Sequence, residues 1–247
     1  MAHQRRYPTA PRVLLPPAAQ VWITRTEPGA SGTAEAVRHA GFTPVVSPLL
    51  KVNPAFVPGD VERALESAAA LAFTSPNGAA VFASLTSRRD LPVFAVGDRT
   101  AQVARNGGFT DIRSAGGDVH DLVRLVQSEW ASRPGDLVVP IAAEPAADLT
   151  KLLAGRVPVR TVIVYETIEA TEPTPAAFDA VLFHSRRAAD IFARRFPSGV
   201  GPNKVAVAIS SPAADPLRTL AFADLRTARH ADEVSVVEAL GKPAPRV

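Results

Sequence analysis

The sequence predicts an α/β protein of two similar domains, each built on a parallel sheet. The chain has 247 residues, which is long for one α/β domain and sufficient for two small ones. Short unbroken apolar runs alternate with helical stretches, as in parallel strands that are covered on both faces. Segments of the first half also return in the second half after about 110 residues, which indicates an internal duplication.

The duplication is carried by segments that match in order. The clearest pair is 71–75 with 181–185, and the match continues through the helical stretch that follows. The other pairs are 93–97 with 205–210, 21–24 with 137–140, and 41–45 with 155–159. Each half therefore repeats one pattern, in which an apolar run ends in small or polar residues and a helix follows.

Each element of the first half has a local signal. Strands are predicted where apolar runs end in small or polar residues, at 21–24, 70–73 and 93–96. Helices are predicted at 34–40, 77–85, 100–106 and 119–130. Glycine favours the backbone conformation that terminates helices, so Gly41 should end the first helix, and Gly107 and Gly108 the third. Asp98 or Thr100 is expected to cap the start of the third helix.

Composition excludes several classes of protein. Apolar residues make up 47% of the chain, yet no run approaches the roughly 18 residues of a membrane helix. There is no cysteine, which excludes thiolate chemistry and favours a reducing cytoplasm. The net charge is only +3 and the arginines are scattered, so nucleic acid is not expected as a partner. Residues 1–19, rich in arginine and proline, are expected to form a disordered extension.

The loops that follow the strands are the expected binding sites. In parallel sheets, ligands lie beyond the carboxyl ends of the strands, where helix N-termini attract anions. The candidate binding residues at these ends are Arg25, Thr74, Ser75, Asn77, Gly97, Thr100, Ser185, Ser210 and Ser211.

Each candidate also has a purely structural interpretation. The hydroxyl groups suit helix caps, and Gly78 and Gly97 suit either close backbone approach or tight turns. Arg25 is expected either to face the ligand or to lie at a rim without a partner. His184, one of five scattered histidines, is expected to be structural or a minor ligand contact rather than a metal ligand.

Five motifs follow one another along the chain. They are Thr24-Arg25 with Glu27-Pro28-Gly29, Ser47-Pro48-Leu49-Leu50, Phe73-Thr74-Ser75-Pro76-Asn77-Gly78, Gly97-Asp98-Arg99-Thr100-Ala101 with Gly108-Phe109, and Val164-Tyr165-Glu166-Thr167. In this order, and over about residues 20–242, they resemble the uroporphyrinogen-III synthase family. Each motif is weak alone, whereas five in order within a duplication are specific.

The resemblance implies a particular arrangement of domains. Two α/β domains would be joined by two strand-like crossovers near 48–53 and 162–168, with a substrate cleft between the domains. Domain 1 would be discontinuous and combine 20–50 with 168–247, and domain 2 would be 51–167.

The resemblance also implies the chemistry. The family's substrate is hydroxymethylbilane, a linear tetrapyrrole, which is cyclised to uroporphyrinogen III with inversion of ring D through a spiro intermediate. The electron-rich pyrroles expel the hydroxyl group, so no metal or cofactor is expected. Tyr165 would be catalytic, because it stands where the family has its implicated tyrosine and a phenol is a proton donor at neutral pH. The alternatives are that it orients the substrate without protonating it, or that it only fills the crossover. The expected enzyme is a cytoplasmic monomer without membrane contact, and its partner, if any, is hydroxymethylbilane synthase in a transient contact.

The second half departs from the family pattern at three places. Ser210 and Ala213 replace the Gly97 and Thr100 of the first half, and His184 stands at the Thr74 position. The third departure, at 141–144, is the lack of an expected glycine or arginine. These departures leave open an alternative function, a non-catalytic sensor that binds a tetrapyrrole or a small anion. A Rossmann oxidoreductase is excluded, because the first strand is not followed by Gly-x-Gly-x-x-Gly.

Overall fold

The computed structural model describes residues 13–130, 134–145 and 147–245. They divide into two units. Unit 2 is Val52–Ile168, and unit 1 combines the described residues up to Lys51 with those from Glu169 onward.

Parallel strands separated by helices make up both units. The strands are β1 (Gln20–Ile23), β2 (Thr43–Val46), β3 (Leu50–Pro54), β4 (Ala68–Phe73), β5 (Val93–Ala95), β6 (Ile112–Ser114), β7 (Asp136–Ala142), β8 (Val159–Glu169), β9 (Ala180–Phe183), β10 (Val205–Ala208) and β11 (Asp224–Thr227). The helices are α1 (Gly29–His39), α2 (Asp60–Glu66), α3 (Pro76–Leu85), α4 (Asp98–Asn106), α5 (Val119–Glu129), α6 (Leu149–Leu152), α7 (Arg186–Arg195), α8 (Ser211–Ala214) and α9 (Glu233–Leu240). Among the described residues, no helix has the length and apolarity needed to cross a lipid bilayer.

The sheet of unit 1 has the order β11-β10-β9-β1-β2, and its paired strands are parallel. Successive side chains of a strand point to opposite faces. Val21 and Ile23 of β1 therefore pack with Val37 of α1 on one face. Trp22, between them, packs with Phe192 of α7 on the other. Both faces are covered by helices, as the unbroken apolar runs predict.

The sheet of unit 2 has the order β3-β8-β7-β4-β5-β6. Its central strand β4 is apolar throughout, because each face is covered by a different helix. Phe73 packs against Phe82 of α3 with the two rings 5.8 Å apart. Ala72 faces the opposite way and packs in the cluster of Leu122 and Val126 of α5.

The predicted repeat is visible in the order of the strands. When each strand of unit 1 is replaced by its repeat partner, the order β2-β1-β9-β10-β11 becomes β8-β7-β4-β5-β6. The register is also conserved, since Phe183 lies opposite Ala208 as Phe73 lies opposite Ala95. The two halves therefore share one topology, and β3 is an addition at the edge of unit 2.

One of the sequence matches between the two halves is shifted by one residue relative to the structure. The match of 41–45 with 155–159 aligns Pro44 with Pro158. In the structure Pro44 lies opposite Val21, whereas Val159 lies opposite Leu137, the repeat partner of Val21. The equivalent of Pro44 is therefore Val159, one residue later, because register is set by pairing in the sheet and not by residue type.

The assignment of residues 1–19 to a disordered extension is wrong for its last part. Residues 1–12 lie outside the described residues. Leu15 and Ala19 are both 2% exposed and belong to the core of unit 1. The backbone carbonyl of Leu15 accepts a hydrogen bond from the N–H of Ala244 at 2.8 Å. The prolines that favour disorder do not prevent this irregular segment from packing, because its apolar side chains find partners in the core.

Two helices start earlier than the sequence predicts. α1 begins at Gly29 and not at Ala34, because Gly29 and Ala30 are buried and their packing outweighs their weak helical signal. α4 begins at Asp98, and its N-cap is Gly97. The expectation that Asp98 or Thr100 caps α4 is therefore wrong, since both residues lie inside its first turn.

Candidate active site

The carboxyl end of β4 leads into the candidate site of unit 2. Ser75 has the extended backbone of a helix N-cap, and its Oγ accepts a hydrogen bond of 3.0 Å from the N–H of Gly78. Pro76 follows at the first helical position, where its fixed φ angle favours the helix and its missing N–H costs nothing. The Ser-Pro-Asn-Gly sequence therefore places the Ser75 hydroxyl at the positive end of α3.

Tyr165 reaches the same place from β8. Its hydroxyl oxygen lies 3.0 Å from Oγ of Ser75, and the residue is 7% exposed. Ser75 thus contacts both the N-terminus of α3 and the phenol of Tyr165, which is 90 residues away in the chain.

An irregularity in β8 explains why this tyrosine points inward. Pairing with β7 runs from Ile141 opposite Ile163 to Ala142 opposite Tyr165, so one residue of β8 is skipped. Before the shift the strand alternates between buried Val162 and exposed Ile163. After it, Val164 and Tyr165 are both buried in the same cluster. A bulge of this kind turns a side chain toward the opposite face, and such bulges are common near functional sites.

Gly78 leaves the space in which the phenol and the serine meet. A Cβ atom at this position would lie 3.3 Å from both the carbonyl oxygen of Pro140 and Oγ of Ser75. It would also lie 3.7 Å from Cε1 of Tyr165. Gly78 therefore permits close approach of the backbone, one of the two alternatives that the sequence left open.

A cavity of about 540 Å³ opens in unit 2, and its size falls within the usual range of ligand pockets. Its lining combines apolar side chains of β7 and α6 with three threonines. The lining residues are Thr74, Val139, Ile141, Pro145, Ala147, Asp148, Leu149, Thr150 and Thr161. The carboxylate of Asp148 accepts a hydrogen bond from the N–H of Lys151. This hydrogen bond is the main reason why the pKa of Asp148 is lowered. Of the candidate binding residues, Thr74 is the one that lines this cavity.

The other candidates of unit 2 lie at the starts of helices. Asn77 is partly buried in the first turn of α3. Gly97 is the N-cap of α4 with an extended backbone, and a Cβ there would make only ordinary contact with Gly117 at 3.7 Å. Thr100 is 2% exposed and packs in the first turn of α4. Burial favours the structural interpretation of Thr100 over direct contact with a ligand.

In unit 1, Arg25 follows β1 and is held by Glu233 at the start of α9. Nη1 of Arg25 lies 2.6 Å from Oε2 of Glu233 and 3.4 Å from Oγ1 of Thr33. His184 joins this cluster, with Nε2 at 3.5 Å from the same carboxylate oxygen. The interpretation of Arg25 as a rim residue without a partner is therefore wrong. His184 contacts a carboxylate, in keeping with a structural role.

Burial and hydrogen bonding oppose each other at Glu233. Burial raises the pKa of the carboxyl group, but the polar contacts with His184 and Thr33 and the positive charge of Arg25 lower it more. The pKa of Glu233 is consequently held below its usual value of 4.5, and the group is ionised at neutral pH.

The serines of unit 1 occupy helix starts. Oγ of Ser185 accepts from the N–H of Ala188 at 3.2 Å and caps α7, as Ser75 caps α3. Ser210 is the N-cap of α8 without a side-chain hydrogen bond to that helix, and Ser211 is exposed in its first turn. Ser185 therefore has the same local geometry as its repeat partner Ser75.

Comparison with protein-family models identifies the family of the chain. A family model described as uroporphyrinogen-III synthase HemD matches residues 31–238. The chain belongs to the uroporphyrinogen-III synthase family. It is accordingly assigned to the cyclising lyases of tetrapyrrole biosynthesis.

A solved synthase structure has the same fold. Uroporphyrinogen-III synthetase from Helicobacter pylori aligns with a TM-score of 0.58 and 17% identity, over 89% of this chain and 96% of that chain. The synthase from Thermus thermophilus aligns with a TM-score of 0.42 and 16% identity, over 90% of this chain and 96% of that chain. A search of curated protein sequences gave no match. At these identities the Helicobacter alignment shows the shared fold.

Sequence reasoning missed two features of this synthase-family chain. The first is the pair of residues that hold Arg25, namely Glu233 and Thr33. Glu233 does not stand out in the sequence, because an acidic residue at a helix start is common for its favourable interaction with the helix dipole. The contact of the Ser75 hydroxyl with Tyr165 is the second feature, because the sequence indicates only a role for Ser75 in helix capping or in binding carboxylates. Within the described ranges, no group of three or more His, Asp or Glu side chains could hold a metal ion.

Proposed function

We propose that the chain cyclises hydroxymethylbilane to uroporphyrinogen III with inversion of ring D. The observation that carries this proposal is the Tyr165 hydroxyl, held by Ser75 beside the carboxyl end of β4 in a member of the synthase family. The substrate must lose the oxygen of its hydroxymethyl group, and the pyrrole nitrogen supplies the electrons. A positioned phenol gives the departing oxygen a proton, so that the oxygen leaves as water.

The later steps depend on how the protein holds the rings. The cation formed by loss of water is attacked at the substituted carbon of ring D, which gives the spiro intermediate. This intermediate fragments and closes again with ring D inverted. Direct closure without inversion competes, so the enzyme must favour one conformation of the chain and restrict water.

The substrate's carboxylates need hydrogen-bond donors. Thr74 has the strongest support among the candidates, because it lines the 540 Å³ cavity of unit 2. Ser185, Ser210 and Ser211 lie at helix starts of unit 1, where backbone N–H groups suit an anion. Arg25 acts through its charge, which is partly balanced by Glu233. Asn77 and Gly97 contribute at the starts of α3 and α4, and Thr100 is the weakest candidate because it is buried.

The chain is further proposed to act as a cytoplasmic monomer. The lack of cysteine among 247 residues supports a reducing compartment. A transient contact with hydroxymethylbilane synthase would shorten the time that an unstable substrate spends in water, and so reduce closure without inversion.

Turnover by the purified protein tests the proposal directly. Enzymatically generated hydroxymethylbilane should be converted mainly to the inverted isomer, measured by chromatography of the oxidised porphyrins. The conversion should persist with excess chelator, because the substrate supplies the electrons. Binding of the tetrapyrrole without any rise in the inverted isomer would instead identify the non-catalytic sensor.

A Tyr165→Phe variant tests the role of the phenol. The change removes only a hydroxyl group, so the fold should survive. General acid catalysis typically contributes about 10²–10⁴-fold, and the loss here should be about 10²-fold or less because the substrate loses water unaided. The yield of the inverted isomer should fall, since closure without inversion continues. A folded variant with unaltered rate and isomer ratio would exclude Tyr165 from catalysis.

A further inference from the structure

Ser75 connects the N-terminus of α3 to the phenol of Tyr165. Its Oγ accepts from the N–H of Gly78 at 3.0 Å and lies 3.0 Å from the hydroxyl oxygen of Tyr165. Both contacts are made by one atom, so the position of the phenol is tied to the cap of a ten-residue helix.

The hydrogen-bonding capacity of serine decides what this contact can do. A serine hydroxyl has one hydrogen and two lone pairs, and Gly78 occupies one lone pair. When Ser75 donates its hydrogen to the phenol oxygen, the hydrogen of Tyr165 remains available to another acceptor. The departing hydroxyl of the substrate is such an acceptor.

The same contact becomes stronger once Tyr165 has released its proton. The phenolate oxygen is then a charged acceptor for the hydrogen of Ser75, and charge-assisted hydrogen bonds are roughly twice as strong as neutral ones. The negative charge would also lie beside the positive end of α3. Ser75 therefore stabilises the charge that develops on Tyr165 during the reaction.

We propose that Ser75 is a positioning residue for Tyr165 and not a ligand of the substrate's carboxylates. The inference rests on the proposed function. In the step concerned, the C–O bond of the hydroxymethyl group breaks, the oxygen takes the proton of Tyr165 and leaves as water, and Ser75 keeps its own hydrogen. The proton released when the macrocycle closes restores the phenol.

A double-mutant cycle tests the inference, using Ser75→Ala, Tyr165→Phe and the double variant. Ser75→Ala should lower kcat about threefold to tenfold, the loss expected for one hydrogen bond, with KM within about twofold of the original. The fraction of inverted isomer should fall with kcat. In the Tyr165→Phe background, Ser75→Ala should change kcat less than about twofold, because Ser75 acts through the missing hydroxyl.

Three controls separate this role from a loss of helix capping. Ser75→Thr keeps a hydroxyl and should restore most of kcat. Ser75→Gly removes the hydroxyl at little cost in capping, so it should lower kcat as Ser75→Ala does even if the alanine variant folds poorly. Asp118→Ala removes the cap of α5, where Asp118 accepts from His120 and Asp121, and should lower the unfolding temperature without changing the isomer ratio.

The outcomes distinguish the inference from the proposed function. If Ser75→Ala raised KM at constant kcat, or if its effect multiplied with that of Tyr165→Phe, the inference alone would be overturned. Unchanged kinetics of Ser75→Ala and Ser75→Gly would overturn it as well. Failure of the original protein to form the inverted isomer would overturn the proposed function together with the inference. Thermal unfolding should be measured for the original protein, the two single variants and the double variant. The losses of stability in the single variants should not add up to that of the double variant, because the two side chains are in contact.

Discussion

At the scale of single residues, Glu233 organises the polar cluster of unit 1. Its carboxylate accepts from Arg25 at 2.6 Å, and His184 lies 3.5 Å away. The cluster lies where β1 and β9 end, so a residue of α9 holds the only arginine among the binding candidates and partly balances its charge. A partly buried carboxylate between two basic side chains stabilises the fold only while it is ionised.

Acidification should weaken this cluster. The pKa of Glu233 is lower in the folded chain than its usual 4.5, so the carboxylate stabilises the fold above about pH 4.5. That stability is lost as the pH falls through the lowered pKa. Glu233→Gln should lower the unfolding midpoint by roughly 2–4 °C at pH 6, the change that about 1 kcal/mol produces in a chain of this size.

Calorimetry from pH 6 to pH 3 measures the effect of Glu233→Gln. The difference from the original protein should shrink as the pH falls, because the original then loses the same charge. Glu238→Gln, on the exposed side of the same helix, is the matched control and should leave the midpoint nearly unchanged. A difference that stayed constant over this range would mean that the charge of Glu233 does not stabilise the fold.

At the scale of elements, the end of α9 depends on one buried arginine of β11. The side chain of Arg226 is 4% exposed and pairs with Asp224 at 2.7 Å. It donates to the carbonyls of Ala239 and Leu240 at 3.0 Å and 2.6 Å, and to that of Val13. The last carbonyls of a helix lack hydrogen-bond donors within the helix, and Arg226 supplies those donors at the end of α9. Its hydrogen bond to Val13 also fixes the segment that leads into β1.

Replacing Arg226 should destabilise unit 1. Arg226→Met keeps much of the side-chain volume but leaves several carbonyls and Asp224 unsatisfied, so the free energy of unfolding should fall by about 2–4 kcal/mol. Urea unfolding followed by circular dichroism measures this. Arg218→Met removes an exposed pair with Asp215 and should cost less than about 1 kcal/mol. Equal losses for the two variants would show that the buried contacts of Arg226 add nothing.

At the scale of the whole molecule, the sequence predicts the strands and their repetition better than any other feature. Residues 70–73 and 93–96 are unbroken apolar runs, and the structure has strands at Ala68–Phe73 and Val93–Ala95. Short unbroken apolar runs of this kind predict strands, because a strand that is covered on both faces buries every one of its side chains. The repeat then indicates the same strand order in the two halves.

Contacts between distant residues could not be predicted in this way. The contact of Ser75 with Tyr165 depends on a register shift in β8, and neither residue type signals a shift. The pairing of Arg25 with Glu233 joins residues 208 positions apart. The core position of Leu15 likewise depends on partners at the other end of the chain. In each case the tertiary structure, and not the local sequence, selects the partner.

The discontinuous unit 1 has a consequence for the order in which the nascent chain folds. β1 ends at Ile23, but its neighbour β9 begins only at Ala180, after the whole of unit 2 has been synthesised. The first strand therefore emerges from the ribosome with one side of its backbone unsatisfied, and contacts so distant in sequence form slowly. Translation itself thus favours completion of unit 2 first, and the amino-terminal segment must avoid aggregation until the carboxyl-terminal strands appear.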